Sequence, residues 1–89
     1  MDGYKRVIRR FVGHRGAVYG VAFHPAGKRL ATCGSDRIIR IWDVETGTEL
    51  ITLRGHRGGI QHVQFSPDGR TLASSSDDGT VKLWRSLPR

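Results

Sequence analysis

Two sets of side chains in the 89-residue sequence invite a chemical reading: His14, Thr32 and Asp36, and again His56, Ser74 and Asp78. A hydroxyl, an imidazole and a carboxylate together can generate an oxygen nucleophile, the histidine taking the hydroxyl proton and the carboxylate orienting the ring. Repetition argues against that use, because a catalytic nucleophile is normally singular and exposed, and no catalytic residue is expected. Metal chemistry is no better served. His14, His24, His56 and His62 have no cysteine or carboxylate partners at ligand spacing. The glycines stand singly at turns instead of forming a phosphate-cradling loop. The single cysteine, Cys33, lies in a strand-like run and reads as a small buried filler rather than a nucleophile. No metal and no cofactor is expected.

The elements that position these residues follow from a repeat. Gly13-His14 returns as Gly55-His56, 42 positions later, and the rest keeps step: Val21 with Val63, Phe23 with Phe65, Pro25 with Pro67, Gly27 with Gly69, Leu30 with Leu72, Asp36 with Asp78, Trp42 with Trp84. Within each unit short β-branched and aromatic runs alternate with turn chemistry: Val18 to Phe23, then Pro25-Ala26-Gly27; Arg29 to Gly34, then Asp36; Ile38 to Val44, then Thr46-Gly47; and Glu49 to Leu53. The counterpart of that fourth run, one period earlier, is Val7 to Phe11. No stretch carries a helical apolar stripe, so the fold class is all-β antiparallel sheet, four strands to a unit. Residues 1–12 read as an outer strand donated to a neighbour, 13–54 as the first unit, and 55–89 as a second unit lacking its own outer strand.

Composition agrees with a globular chain, at 37% hydrophobic and 26% charged residues. Neither a membrane-length apolar run nor a signal-peptide core is visible, so no membrane association is expected and the cytoplasm is the default. A formal charge of +7 would attract nucleic acid, but the basic residues are scattered.

Gly-His, Ser/His-Pro-x-Gly, Leu-Ala-Ser/Thr and Asp-x-x-Ile/Val-x-x-Trp, recurring at this period, resemble the WD repeat, whose units are β-propeller blades. The Trp-Asp pair itself is intact at Trp42-Asp43 and reads Trp84-Arg85 in the second unit. The resemblance implies that His14, Thr32, Asp36 and Trp42, and likewise His56, Ser74, Asp78 and Trp84, are structural hydrogen-bonding tetrads. It also implies a partner-binding top face at Ala17, Tyr19 and Ser35 in the first unit and Gly59, Gln61 and Asp77 in the second. Arg15, Arg57 and Arg37 are placed around that face and suit an acidic peptide. Arg37 stands where the second unit has Gly79, so the first turn either has another geometry or holds arginine under strain.

A protein- or peptide-binding scaffold is therefore expected. Its rivals are a basic nucleic-acid binder, disfavoured because only Tyr19 is expected to interleave with the basic residues, Phe23, Phe65, Trp42 and Trp84 being assigned to the core, and a propeller fragment with no independent function. Two blades cannot close a propeller. The expectation is a homo-oligomeric ring in which Val7–Phe11 of one copy completes the last blade of the next, a tetramer of eight blades being favoured over a trimer of six.

Overall fold

The structure, a computed structural model, describes Gly3 and residues 6–85. Seven strands follow one another: β1 (Val18–Phe23), β2 (Arg29–Gly34), β3 (Ile38–Asp43), β4 (Glu49–Arg54), β5 (Ile60–Phe65), β6 (Thr71–Ser76) and β7 (Val81–Arg85). They form a four-stranded sheet ordered β1-β2-β3-β4 and a three-stranded sheet ordered β5-β6-β7, with every pairing antiparallel. Both sheets break register at the same place in the repeat, between Val18 and Gly20 and between Ile60 and His62. No helix among the described residues is long and apolar enough to cross a membrane.

Register decides which residues meet. Pairing of Ala22 with Ala31, Gly20 with Cys33, Cys33 with Ile39 and Ala31 with Ile41 puts these side chains on one face of the first sheet. That face lies against the opposite face of the second sheet, and Ala31, Cys33, Ile39, Ile41, Ile60, Val63 and Leu72 share one buried core. The inner strands approach closely at Gly20, where a Cβ would stand 3.0 Å from the Gln61 carbonyl oxygen and 3.3 Å from His62 Cα. A side chain there would push the inner strands apart. Cys33 is fully buried, and burial pushes its thiol up to about 11, so it stays protonated and unreactive at neutral pH.

The turns obey local rules. Gly27 and Gly69 both take positive φ, and each donates its N–H back three residues, to His24 and Ser66 respectively. At the β2–β3 turn Arg37 has φ 68° where Gly79 has φ 87°, so the two turns share one geometry and arginine bears the left-handed strain. Residues 7–11, read as a strand from the repeat, make no ladder pairing here. They are anchored at their end by Phe11, whose ring meets Trp42 edge-on at 5.5 Å.

Candidate functional site

Each repeat assembles a chain of hydrogen bonds whose direction is set by its ends. An indole N–H can only donate and an ionised carboxylate can only accept. Trp42 Nε1–H therefore donates to Thr32 Oγ1 (2.8 Å), the Thr32 hydroxyl donates to His14 Nε2 (2.6 Å), and His14 Nδ1–H donates to Asp36 Oδ2 (2.9 Å). In the second repeat Trp84 donates to Ser74 (2.9 Å), Ser74 to His56 Nε2 (2.7 Å), and His56 Nδ1–H to Asp78 (3.1 Å). The strands supply the geometry: Leu30 faces Trp42 and Thr32 faces Arg40, which sets the hydroxyl two residues along from the indole on one face.

The hydroxyls have no room for a substrate. Ser74 is 2% exposed and Thr32 7%, and each is engaged on both sides by its indole and its imidazole. The second relay lies between the sheets. The first lies on the open face of its sheet and is covered by Gly13, which sits over the Trp42 ring, and by Phe11.

The aspartates gather further donors. Burial opposes charge on Asp36, but the N–H of Arg15, the His14 ring and the N–H of Ile38 outweigh it, and its carboxyl lies below the usual range. The Thr80 hydroxyl, the Arg57 N–H and the Thr80 N–H hold Asp78 far below that range. Thr80 and Arg40 were not singled out from sequence. Ile38 replaces Thr80 in the first repeat, where the Arg40 guanidinium instead stands 3.8 Å from Asp36 while bonding Glu49 at 2.8 Å. Asp78-x-Thr80 was readable as an Asx turn, but the Arg40–Glu49 pairing depends on a bulge between Ile41 and Trp42.

The expected partner-binding residues collect at the end of the sheets where these aspartates sit. Ser35 exchanges bonds with Ala17, its Oγ accepting from the Ala17 N–H at 3.0 Å and its own N–H donating to the Ala17 carbonyl at 2.9 Å. Asp77 donates its N–H to Gly59 and accepts both bonds from the Gln61 amide at 3.1 Å. Tyr19, 47% exposed, overhangs the seam between sheets, with Cε2 3.5 Å from the position of a Cβ on Gly59. Arg15, Arg37 and Arg57 are all exposed; the first and last give only their backbone N–H to the aspartates. Sequence reasoning passed over His24, whose Nε2–H reaches from the β1–β2 turn to the Gly69 carbonyl at 3.2 Å and ties the opposite ends of the two sheets together.

A four-stranded and a three-stranded antiparallel sheet stacked face to face, each pinned by an indole–hydroxyl–imidazole–carboxylate relay, are blades of the β-propeller class. The chain belongs to the WD-repeat family: the family model "WD domain, G-beta repeat" matches residues 5–43 and 47–85. Similar proteins include the probable cytosolic iron-sulfur protein assembly protein Ciao1 of Drosophila mojavensis, 50% identical over 36 residues, which is 40% of this chain and 11% of that protein. Its namesake from Aedes aegypti is 48% identical over 40 residues, covering 45% of this chain and 12% of that protein. The matched stretches are thus shorter than one 42-residue repeat, and they span about a tenth of the relatives' length.

Acid should expose the relays' contribution. Both aspartates bind a proton more weakly folded than unfolded, so their stabilisation is complete above the unfolded value of about 4 and is lost as pH falls through the folded values. Thermal melts followed by circular dichroism should show the midpoint falling between about pH 4 and pH 2. An Asp36→Asn/Asp78→Asn variant should start lower at neutral pH and fall less steeply, the residual slope coming from Asp43, Glu49 and Asp68, which are also depressed. Parallel curves for the two proteins would contradict the assignment.

Proposed function

We propose that the chain is a non-catalytic scaffold that binds protein, or an acidic peptide, on the propeller end that carries the relay aspartates. The observation that carries this reading is Tyr19: an exposed ring with a polar tip, seated over the seam of two blades beside Ser35 and Gly59 and on the same end as Arg15, Arg37 and Arg57. An aromatic anchor on an end that also carries exposed arginines suits recognition of carboxylates around an apolar residue. The strain at Arg37 supports it, because a left-handed arginine costs on the order of 1 kcal/mol and presents its side chain outward. The cytoplasm is proposed as its compartment, with support from the word "cytosolic" in the names of its relatives. The shared stretches support the architecture and do not extend to those proteins' part in iron-sulfur assembly.

The blades need neighbours. Val18 and Val21 are 54% and 61% exposed, whereas the equivalent Ile60 and Val63 are 1% and 8% exposed under the other blade. Val81 and Leu83 are 69% and 71% exposed, and their equivalents Ile39 and Ile41 are 0% and 8%. The two open faces are thus the two halves of the contact already made inside the chain, and further copies joined head to tail would cover both. Residues 7–11, with Val7 and Ile8 79% and 88% exposed, would then lie along the free edge of β7 as β4 lies along β3. His62 and Gln64 stand where Gly20 and Ala22 permit close approach, so a copy-to-copy contact is wider at its inner end. That narrows the wedge per blade and supports four copies with eight blades over three with six.

Affinity capture at physiological salt, with wild-type, Tyr19→Ala/Arg37→Ala and Lys28→Ala baits, the last exposed in the β1–β2 turn, tests the binding face. Proteins bound there should be lost from the first variant and kept by the second. Equal losses from both, or retention of nucleic acid alone, would refute the reading. Native mass spectrometry at micromolar concentration tests the ring: four copies are expected, and a folded monomer would contradict it.

A further inference from the structure

The two blades present different chemistry on the equivalent face. In the first blade the face turned to its neighbour carries Gly20, Cys33 and Ile39 in one row and Ala22, Ala31 and Ile41 in the next. The same rows of the second blade read His62, Ser75 and Val81, then Gln64, Ala73 and Leu83. Polar side chains have thus entered the face proposed above to meet the next copy, and His62 and Gln64, both exposed in the single chain, stand on its inner strand. The 69% and 71% exposure of Val81 and Leu83 in the same rows suits a face that a neighbour covers.

Pseudo-symmetry puts His62 inside that joint. Within the chain, a side chain at Gly20 would meet Cys33, the Gln61 carbonyl and the His62 backbone. Moved on by one repeat, His62 meets Ser75 of its own sheet and the Tyr19 carbonyl and Gly20 backbone of the next copy. Cys33, which holds the place of Ser75, is fully buried by the facing blade, so a closed joint shields this row from water. Among the described residues no carboxylate is free to pair with the ring. On its own sheet Asp77 is held by the Gln61 amide, while Lys82 and the His56–Asp78 pair belong to the opposite face with Ser74. On the facing sheet His14, Asp36, Arg40 and Glu49 are paired with one another, and the one ionisable side chain of β1 is Tyr19. Arg15, Arg37 and Arg57 at the loop end, and Arg9 and Arg10 of the donated segment, carry the same sign as a protonated imidazole.

We infer that His62 is an acid-sensitive latch on ring closure: the joint between copies closes over the neutral imidazole, and protonation opens it. The inference rests on the ring proposed above. An imidazolium shielded from water without a carboxylate is disfavoured, whereas in the open chain it is solvated. Closure in mild acid therefore expels a proton. Joint stability is complete above about pH 6.5 and is lost as pH falls, the association constant of each joint dropping by up to about tenfold per pH unit. Every joint of the ring carries the same latch, so the response is steep. The seam inside the chain has Gly20 at this place and stays shut, so acid releases intact two-blade chains.

Sedimentation velocity of the full chain between pH 8 and pH 5 tests the latch, with circular dichroism following the fold. A closed ring is expected at pH 8. At pH 5 the midpoint concentration for assembly should rise at least about thirtyfold while the strand signal is unchanged. His62→Gln and His62→Gly, the latter restoring the residue of the inner seam, should assemble at both pH values with a change under about threefold. His24→Gln should respond as the wild type does. In the wild type the His62 imidazole resonances should move to the protonated form only as the ring opens, a readout that needs no variant. A chain that is monomeric at pH 8 would overturn the ring and the latch together. The latch alone is overturned by a ring that ignores acid, by His62 variants that dissociate as the wild type does, by a response lost in His24→Gln, by dissociation that accompanies unfolding, or by an intact ring with His62 protonated.

Discussion

The indole–hydroxyl–imidazole–carboxylate relay is the constraint on which the rest of each blade depends. It joins β3 to β2 through Trp42 and Thr32, and β2 to the incoming loop through His14 and Asp36. Each member is polar and shielded from water, so a missing link would leave its neighbour desolvated and unpaired, a penalty of about 1–3 kcal/mol for a neutral group. The relay thereby fixes where the loop before β1 lies, and that loop carries Arg15 or Arg57 on its surface. Its aspartate also shapes the β2–β3 turn by accepting the N–H two residues on, from Ile38 or Thr80. The bonds that hold each blade therefore also fix where these exposed arginines stand.

Much of this was legible in the sequence because the repeat is a periodic constraint. The third and fourth runs, read as Ile38–Val44 and Glu49–Leu53, are strands at Ile38–Asp43 and Glu49–Arg54, each within one residue. Their ends are set by turn residues, which sequence shows directly. Val7–Phe11 has the same pattern and no pairing, because a strand needs a partner edge as well as β propensity. The turn at Arg37 had two readings, and only the backbone could choose between them. His24 looked like one more histidine; its reach to Gly69 depends on how two blades sit side by side, which no local pattern encodes.

Pseudo-symmetry leaves the two repeats in different environments. One relay is sealed between blades and the other is sealed by Phe11 and Gly13, so the same four residue types sit in two environments. Equivalent apolar positions are buried in one blade and exposed in the other, which makes the chain complementary to blades like its own. At the seam between the blades Tyr19 stands beside Gly59, and Gly20 beside His62. Tyr19, the exposed ring of the proposed binding end, stands on this seam.

The central claim, that the relay acts as one unit, is tested most directly by a double-mutant cycle between its ends. Trp42 and Asp36 are joined only through Thr32 and His14, so Trp42→Phe and Asp36→Asn perturb residues that share no hydrogen bond. Chemical unfolding of the wild type, both single variants and the double variant gives their coupling. The relay predicts that the double variant loses less stability than the sum of the singles, by more than the roughly 0.5 kcal/mol within which independent sites add. Additive losses would mean that the bonds contribute separately and would contradict the account.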